Sequence, residues 1–355
     1  MSFPAVRCRR QREDEQTQSK VDIQRRRGIV LRYSLLDALL VIVGPTGVGK
    51  SEIAADLVQK IKGEIISADS RQVYNQMDIG TAKPSADLLM KAPHHLIDIV
   101  FPDEIFNVAD FKSRAEAIIE RLQAQDKLPI LVGGSGLYIR AVIDGLFVGP
   151  GTDWSLRRRL KEREKSQGEG TLYRELEEID PHTCSRLHPH DQRRIVRALE
   201  VYYLSGKTIS SYQRESPGSL DKTVIIGLKR ERQSLYRLIE LRVDEMIKKG
   251  LIEEVKDLLA RGYTEDLPSM QGLGYRQIVK YLKGKCSKEE AIRLIKRDTR
   301  RFARRQLNWF RRDDRIIWLD RDRFSSLSDL SDKIIKILTR QVPEAKFVLQ
   351  VNERQ

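Results

Sequence analysis

A glycine-rich stretch that ends in a lysine and a hydroxyl residue is the part of this sequence best suited to chemistry. Residues 44–51 fit the spacing G-x-x-x-x-G-K-[ST] at each fixed position. The glycines allow positive φ and close backbone approach, so successive N–H groups can converge on phosphate oxygens. Lys50 adds a positive charge, and Ser51 offers a hydroxyl ligand for Mg²⁺. The residues predicted to hold phosphate groups are Gly44, Pro45, Thr46, Gly47, Val48, Gly49, Lys50 and Ser51.

A carboxylate and three polar residues follow the next apolar run. Residues 63–69 read as a strand that ends in the carboxylate of Asp69, and Ser70, Arg71 and Gln72 come directly after it. Strand ends in open α/β sheets face the ligand crevice, so we expect Asp69 near the glycine-rich loop. There it could serve as a Mg²⁺ ligand or as a general base. Its position alone fits a helix N-cap equally well.

These side chains need a sheet to bring them together. Apolar runs predict strands at 39–43, 63–69, 94–100, 128–133, 223–228 and 315–319, and helical spacing lies between several of them. The alternation predicts an α/β fold, a P-loop NTPase-like and mostly parallel sheet with helices on both faces. A second glycine turn follows the run at 128–133 and contains Ser135.

Composition divides the chain into five parts. Residues 1–36 are polar and mixed in charge, which predicts a disordered tail rather than an acid-poor targeting segment. Residues 37–148 form the first part of the phosphate-loop core. Residues 149–216 are highly charged with helical periodicity, which predicts a helical insertion. Residues 217–342 complete the core and include a basic C-terminal helix, and 343–355 are predicted to form a second tail.

The overall charge favours a polyanionic partner. Lysine and arginine number 65 against 51 acidic residues, a surplus of 14. The three cysteines, at 8, 184 and 286, form no C-x-x-C pair, so neither a zinc module nor a disulfide framework is indicated. No run approaches the roughly 20 apolar residues of a membrane span. We therefore expect a cytoplasmic protein without a membrane segment.

Two basic stretches are candidates for nucleic-acid contact. Residues 192–197 carry three arginines, and the predicted helix over 287–310 carries many more. A solvated surface helix is the alternative interpretation. However, Asp298 is the only acid between Arg293 and Arg312, so pairing along this helix cannot neutralise its charge. A nucleic-acid backbone is the expected counter-surface.

Six sequence blocks in order give the chain a resemblance to one family. They are residues 44–51, Asp-Ser-Arg-Gln-Val-Tyr at 69–74, Met-Asp-Ile-Gly-Thr-Ala-Lys-Pro at 77–84, His-His-Leu-Ile-Asp at 94–98, Gly-Gly-Ser-Gly-Leu-Tyr at 133–138 and Arg-Arg-Gln at 304–306. Together they closely resemble the tRNA dimethylallyltransferases, also called tRNA isopentenyltransferases. The likeness runs from about Leu39 to about Leu319.

The resemblance implies a reaction. A dimethylallyl group would pass from dimethylallyl diphosphate to N6 of the adenine on the 3′ side of the anticodon, with release of diphosphate and a requirement for Mg²⁺. Asp69 matches the family's general base, while Lys50, Ser51 and Arg242 match residues that handle the diphosphate and its metal. The partner is the tRNA anticodon stem-loop, and we expect a monomer.

The resemblance and the basic stretches together assign the RNA contacts. The residues expected to touch tRNA are Asp69, Ser70, Arg71, Gln72, Ser135, Arg157, Gln192, Arg193, Arg194, Arg197, Arg300, Arg304 and Arg305. Two positions depart from the family pattern. Ser135 stands where threonine is usual, which keeps the hydroxyl, and Leu238 stands where arginine is common.

Three alternatives remain on sequence grounds. A P-loop kinase or nucleotide hydrolase should show an apolar run ending in a metal-binding aspartate, and only Ile97-Asp98 comes near that pattern. An adenylate isopentenyltransferase would act on free AMP-type nucleotides and would not need the basic insertion or C-terminal helix. An RNA-binding protein with a degenerate loop conflicts with the intact Lys50, Ser51 and Asp69.

Overall fold

A six-stranded sheet with strand order β3-β2-β4-β1-β5-β6 organises the part of the chain described by the computed structural model, residues 37–146, 149–214 and 222–349. Every pairing between its strands is parallel. The strands are β1 (Leu39–Val43), β2 (Gly63–Ala68), β3 (His94–His95), β4 (Leu128–Gly133), β5 (Thr223–Lys229) and β6 (Ile317–Asp320). The predicted α/β class with a parallel sheet is confirmed.

Helices connect these strands and cover the sheet. The core helices are α1 (Lys50–Val58), α2 (Ala86–Lys91), α3 (Val108–Ala124), α4 (Gly136–Ile143) and α14 (Leu327–Gln341). The segment after α4 contains α5 (Trp154–Gln167), α6 (Thr171–Ile179), α7 (Pro181–Cys184), α8 (Gln192–Ser205) and α9 (Ile209–Arg214). Between β5 and β6 lie α10 (Arg232–Lys248), α11 (Leu251–Ala260), α12 (Tyr275–Leu282) and α13 (Lys288–Phe310).

Both faces of the sheet are buried, and β1 shows how. Leu40 and Ile42 pack with Ile53 and Leu57 of α1 on one face. On the other face, Leu39, Val41 and Val43 join Phe111 of α3 and Tyr138 of α4. A strand covered on both sides reads as a continuous apolar run rather than an alternating one. This is why the sequence pattern located β1, β4 and β5 well.

Two further hydrophobic cores lie away from the sheet. Helices α5 to α9 pack around buried Leu160, Leu176 and Leu199, so the segment predicted as a helical insertion has a core of its own. Helices α10 to α13 pack around Tyr275 and enclose Met77 from the segment after β2. The sequence pattern assigns 217–342 to the sheet core and does not reveal this second helical cluster, because its helices carry the same apolar spacing as sheet-covering helices.

Two sequence predictions need correction. The run at 94–100 forms strand only at its first two residues, because Leu96 and Asp98 adopt positive φ of 62° and 55° and end the extended chain. The predicted tail from 343 begins too early. Residues Pro343–Val348 form a 3₁₀ helix with buried Ala345 and Val348, and Leu349 pairs with Ile61. The predicted N-terminal tail, 1–36, lies outside the described residues.

None of the helices in the described segments combines the length and apolar character that a bilayer crossing requires.

Candidate active site

The glycine-rich loop joins the carboxyl end of β1 to the first turn of α1. Gly44 has a φ of 151°, and a Cβ there would lie 2.6 Å from the carbonyl oxygen of Leu228 on β5. Gly49 has a φ of 97° and caps α1, which begins at Lys50. Side chains larger than hydrogen would therefore be strained or would clash at these positions. The loop is shaped so that backbone N–H groups gather at a helix N-terminus, where anions bind.

Lys50 is folded back onto this loop. Its Nζ donates hydrogen bonds to the carbonyl oxygens of Gly44, at 3.0 Å, and Pro45, at 2.9 Å. Burial lowers its pKa to about 8; Arg242 adds to this effect, while Asp69 and Glu52 oppose it. A buried cation with a lowered pKa lacks full charge compensation from its surroundings. An anion bound nearby would therefore stabilise the charged form of Lys50.

Asp69 follows β2 directly and lies near Lys50. One carboxylate oxygen accepts a hydrogen bond from the backbone N–H of Arg71 at 2.8 Å. No helix starts here, so this contact is a local turn rather than a helix N-cap. The other oxygen has no hydrogen-bond partner in the described part of the chain. Next to it, the N–H of Ser70 donates to Oγ of Ser135 at 3.1 Å, which ties the second glycine turn to this strand end.

Arg242 approaches the loop from α10. Its Nη1 lies 3.5 Å from Oγ1 of Thr46. One turn earlier on the same helix, Ile239 lies where a Cβ at Gly47 would be only 3.1 Å away. Helix α10 therefore packs closely along the glycine-rich loop. This contact between residues 196 positions apart could not be read from the sequence pattern.

A cleft of about 790 Å³ opens at these strand ends. The predicted site residues that line it are Thr46, Gly47, Gly49, Lys50, Ser51, Asp69, Ser70, Arg71, Gln72, Ser135, Arg242 and Arg305. The other loop residues, Gly44, Pro45 and Val48, are buried behind its wall. The structure therefore brings the predicted donor-side residues and Asp69 into one cavity.

Two further segments, which were not predicted as part of the site, also line the cleft. Residues 78–85 form one wall and 271–276 another. The first wall is held by Glu254, whose carboxylate accepts hydrogen bonds from the N–H groups of Ile79 at 2.7 Å and Gly80 at 3.1 Å, and from the hydroxyl of Tyr275 at 2.6 Å. A Cβ at Gly80 would lie 2.5 Å from the Tyr275 ring. Gly80, in the sequence block at 77–84, is the sequence feature that could have indicated this wall of the cleft.

Gln306 is a further residue whose role the sequence did not indicate. It is 7% exposed and lies on α13. Its Oε1 accepts a hydrogen bond from the N–H of Thr46 at 2.9 Å, and its Nε2 donates to the carbonyl oxygen of Gly134 at 3.0 Å. The side chain bridges the two glycine turns.

The predicted RNA contacts of the helical insertion fall into two groups. Gln192, Arg193 and Arg194 form the exposed first turn of α8. Arg157 and Arg197 instead bind fully buried Glu200, with Nε of Arg157 2.9 Å from Oε1 and Nη1 of Arg197 2.5 Å from Oε2. Burial favours a raised pKa for Glu200, but the hydrogen bonds from the two arginines outweigh it and hold the pKa below its ordinary value. The RNA contacts of these two arginines stay predictions, and both have a structural partner.

The arginines of α13 lie partly outside the cleft. A groove of about 410 Å³ between α10 and α13 is lined by Arg232, Tyr236, Arg297, Arg300, Arg301 and Arg304. The sequence prediction considered only pairing along this helix, whereas α10 supplies acids across the helix pair. Glu240 binds Arg300, and Asp244 binds Lys296 at 2.7 Å. Pairing between helices cannot be seen from one helix's own charge spacing.

The donor set for a metal ion is limited. Among the described residues, no group of three or more His, Cys, Asp or Glu side chains could hold an ion by itself. Ser51 and Asp69 line the same cleft and offer two oxygen ligands. Mg²⁺ commonly keeps several waters and uses one or two protein ligands with substrate phosphates. These residues fit an ion that arrives with a phosphorylated substrate.

The fold and the cleft define an α/β protein of the phosphate-loop class, with a lysine, an arginine and a carboxylate around one cavity. Comparison with known proteins is more specific. The model of the IPP transferase family matches residues 72–313. The tRNA dimethylallyltransferase of Pelotomaculum thermopropionicum is 49% identical over 302 residues, covering 84% of this chain and 96% of that protein. The chain therefore belongs to the tRNA dimethylallyltransferase family and is an enzyme of that class.

Solved structures agree with this assignment. The full-length tRNA isopentenylpyrophosphate transferase of Bacillus halodurans is 40% identical, with a TM-score of 0.66, over 88% of this chain and 99% of that one. A eukaryotic dimethylallyltransferase acting on tRNA is 27% identical, with a TM-score of 0.73, over 89% of this chain and 81% of that one. The resemblance inferred from the six sequence blocks is confirmed.

Proposed function

We propose that this enzyme transfers a dimethylallyl group from dimethylallyl diphosphate to the exocyclic N6 of the adenine on the 3′ side of the tRNA anticodon. The observation that carries the proposal is that one cleft is lined by the phosphate loop, Lys50, Arg242 and Asp69. The first three suit an anionic leaving group, and the last suits an acceptor that must lose a proton. Both halves of the reaction thus have matching residues in the same cavity.

On the donor side, the diphosphate lies at the N-terminus of α1. Lys50 exchanges its hydrogen bonds to the carbonyls of Gly44 and Pro45 for phosphate oxygens, and Arg242 approaches from α10. When the allylic C–O bond breaks, its electron pair leaves with the diphosphate. Donors fixed beforehand stabilise this developing charge without reorganising at the moment of reaction.

Ser51 would hold Mg²⁺ together with diphosphate oxygens. The bound ion would supply further positive charge against the leaving group.

On the acceptor side, the adenine N6 is a weak nucleophile because its lone pair is conjugated with the ring. As the N–C bond forms, the amine proton passes to the carboxylate oxygen of Asp69 that lacks a protein partner. The N–H of Arg71 holds the other oxygen at 2.8 Å and so fixes the carboxylate's orientation. Ser70, Gln72 and Ser135 border the position where the base would enter.

The adenine must leave its stack to reach Asp69, which costs a few kcal/mol. Contacts with the anticodon stem-loop would offset this cost. The exposed turn of Gln192, Arg193 and Arg194, together with Arg305 at the cleft and Arg300 and Arg304 in the groove between α10 and α13, offers positive charge for its phosphates. The excess of 14 positive charges over the whole chain acts in the same direction.

The decisive experiment offers labelled dimethylallyl diphosphate and Mg²⁺ with either tRNA or AMP as acceptor. The proposal predicts label on tRNA, at the adenine next to the anticodon, and none on AMP. Label on AMP would instead identify an adenylate isopentenyltransferase. A third arm measures phosphate release from ATP; fast release without any prenyl transfer would identify a nucleotide hydrolase or kinase and overturn the proposal.

A further inference from the structure

Gln306 occupies a position between the two halves of the cleft. Its Oε1 accepts the N–H of Thr46 in the phosphate loop, and its Nε2 donates to the carbonyl of Gly134 in the second glycine turn. The residue is 7% exposed; its hydrogen bond to Gly134 is buried, and its hydrogen bond to Thr46 is partly buried. Hydrogen bonds in such surroundings are costly to break, because the partners left behind are unsatisfied.

The fit of this amide against the second turn is tight. A Cβ at Gly134 would lie 2.2 Å from Nε2 of Gln306. One turn later on α13, Trp309 contacts the same turn so closely that a Cβ at Gly136 would lie 2.2 Å from its Nε1. Two glycines of the turn are thus required by one face of α13. Any movement of this turn must move Gln306 or break its hydrogen bond.

Each end of the bridge continues to a different reactant. Thr46 stands beside Arg242, whose Nη1 lies 3.5 Å from its hydroxyl, on the side where the diphosphate would bind. Gly134 precedes Ser135, whose hydroxyl accepts the N–H of Ser70, next to Asp69 on the acceptor side. One path from donor to acceptor therefore runs through the side chain of Gln306, beside the direct pairing of the strands that lead into the two turns, Val43 with Gly133.

We propose that Gln306 is a positioning residue that couples the binding of the prenyl donor to the binding of the RNA acceptor. This inference rests on the proposed function. When the diphosphate orders the phosphate loop, Thr46 holds the Gln306 amide, and the amide holds the turn that borders the acceptor. Coupling between two ligands is reciprocal, so RNA also strengthens donor binding by the same factor.

The test measures RNA affinity with and without donor. The RNA is an anticodon stem-loop, and the donor is the thiolo analogue of dimethylallyl diphosphate, which resists displacement, with Mg²⁺ present. We expect the donor analogue to tighten RNA binding by at least about fivefold in the unmodified protein. The coupling ratio is the RNA affinity with the donor analogue divided by the RNA affinity without it. Gln306→Met keeps the side-chain volume but loses both hydrogen bonds, so we expect its coupling ratio to be about one, as for two independent sites.

A matched variant separates coupling from stability. Ser331 on α14 is also a buried polar residue, 0% exposed, whose hydroxyl donates to the carboxylate of Asp56, and neither residue lines the cleft. Ser331→Ala should lower the Tm and leave the coupling ratio unchanged. Gly134→Ala provides an independent variant, since its methyl group displaces the Gln306 amide without altering residue 306, and it should also abolish the coupling.

The outcomes distinguish the inference from the proposed function. A ratio of one in the unmodified protein, or a ratio retained in both Gln306→Met and Gly134→Ala, overturns the coupling role while prenyl transfer stands. If Gln306→Met does not fold, Gly134→Ala decides alone. If neither the donor analogue nor the RNA binds the unmodified protein, the proposed function fails, and this inference fails with it.

Discussion

The cleft and the helical insertion use charged side chains in opposite ways. In the cleft, burial lowers the pKa of Lys50 to about 8, which means that Asp69 and Glu52 do not compensate its charge. In the insertion, two arginines more than compensate the burial of Glu200, and its pKa falls below the ordinary value. Uncompensated charge in a cavity marks a place prepared for a ligand. A compensated charge in a core indicates a structural role. Mutations in the cleft should therefore affect activity, and mutations in the core of the insertion should affect stability.

The largest effect is expected at Asp69. Asp69→Asn keeps an oxygen for the N–H of Arg71 but cannot accept a proton, so prenyl transfer should fall by at least about 10³-fold, within the range for a general base. The affinity for tRNA should stay within about twofold, since shape and hydrogen bonding are kept. Single-turnover transfer and RNA binding are the measurements.

Asp87→Asn is the control, because Asp87 is an exposed carboxylate on α2 and its loss should leave transfer unchanged. If Asp69→Asn loses transfer activity and RNA affinity equally, then Asp69 is not the general base, and the stated difference between the two regions is not supported.

In the insertion, the expected effect is on stability. Glu200→Gln leaves Arg157 and Arg197 without their buried carboxylate, and breaking such a pair costs about 3 kcal/mol of unfolding free energy. Denaturant unfolding, monitored by circular dichroism, measures this. Glu178→Gln, at an exposed position on α6, should change the value by less than about 0.5 kcal/mol. A similar loss in both variants would contradict the structural role of Glu200.

The same contrast explains what the sequence could and could not predict. The loop at 44–51 and Asp69 were predictable because motif spacing and the end of a strand each fix a position in space. Arg157 and Arg193 look alike in the sequence, yet one lies on Glu200 and the other in solvent. Which arginine meets a buried acid depends on how helices pack, and charge spacing along the chain does not contain that information.

Long-range contacts set the limit in the cleft as well. Gln306 lies 260 residues from Thr46, and Glu254 lies 175 residues from Ile79. Both belong to the helical cluster between β5 and β6, which the sequence analysis did not recognise as a separate core. The residues that bind ligands were therefore easier to predict than the residues that hold them in place.

A smaller effect is expected from the exposed arginines of the insertion. Reversing both, as Arg193→Glu with Arg194→Glu, should weaken tRNA binding and reduce the slope of log affinity against log salt by up to about two, at about 0.9 per phosphate contact. Stability should hardly change, since neither side chain is buried. Arg158→Glu with Arg159→Glu changes the net charge equally on exposed positions of α5. An unaltered slope, or the same change in both double variants, would contradict the assigned contacts.

The smallest effect concerns pH and donor affinity. Lys50 has a pKa of about 8 without donor, and an anionic diphosphate favours its charged form, so the pKa is higher in the complex. Between these two values binding takes up a proton, and the dissociation constant of the donor analogue should rise from pH 7.5 to pH 9, by at most about tenfold per pH unit. Calorimetry in buffers of different ionisation enthalpy detects the proton directly.

Stability should move the other way with pH. The cost of burying a charged Lys50 is fully present below about pH 8 and disappears as pH rises towards the ordinary lysine value of 10.5, because over that interval the unfolded chain binds the proton more tightly. Donor affinity falls while the contribution of Lys50 to stability improves. Lys50→Met should abolish both pH dependences. If the donor affinity of the unmodified protein stays constant between pH 7.5 and 9, then the charge of Lys50 is not uncompensated, and the stated difference between the cleft and the insertion is wrong.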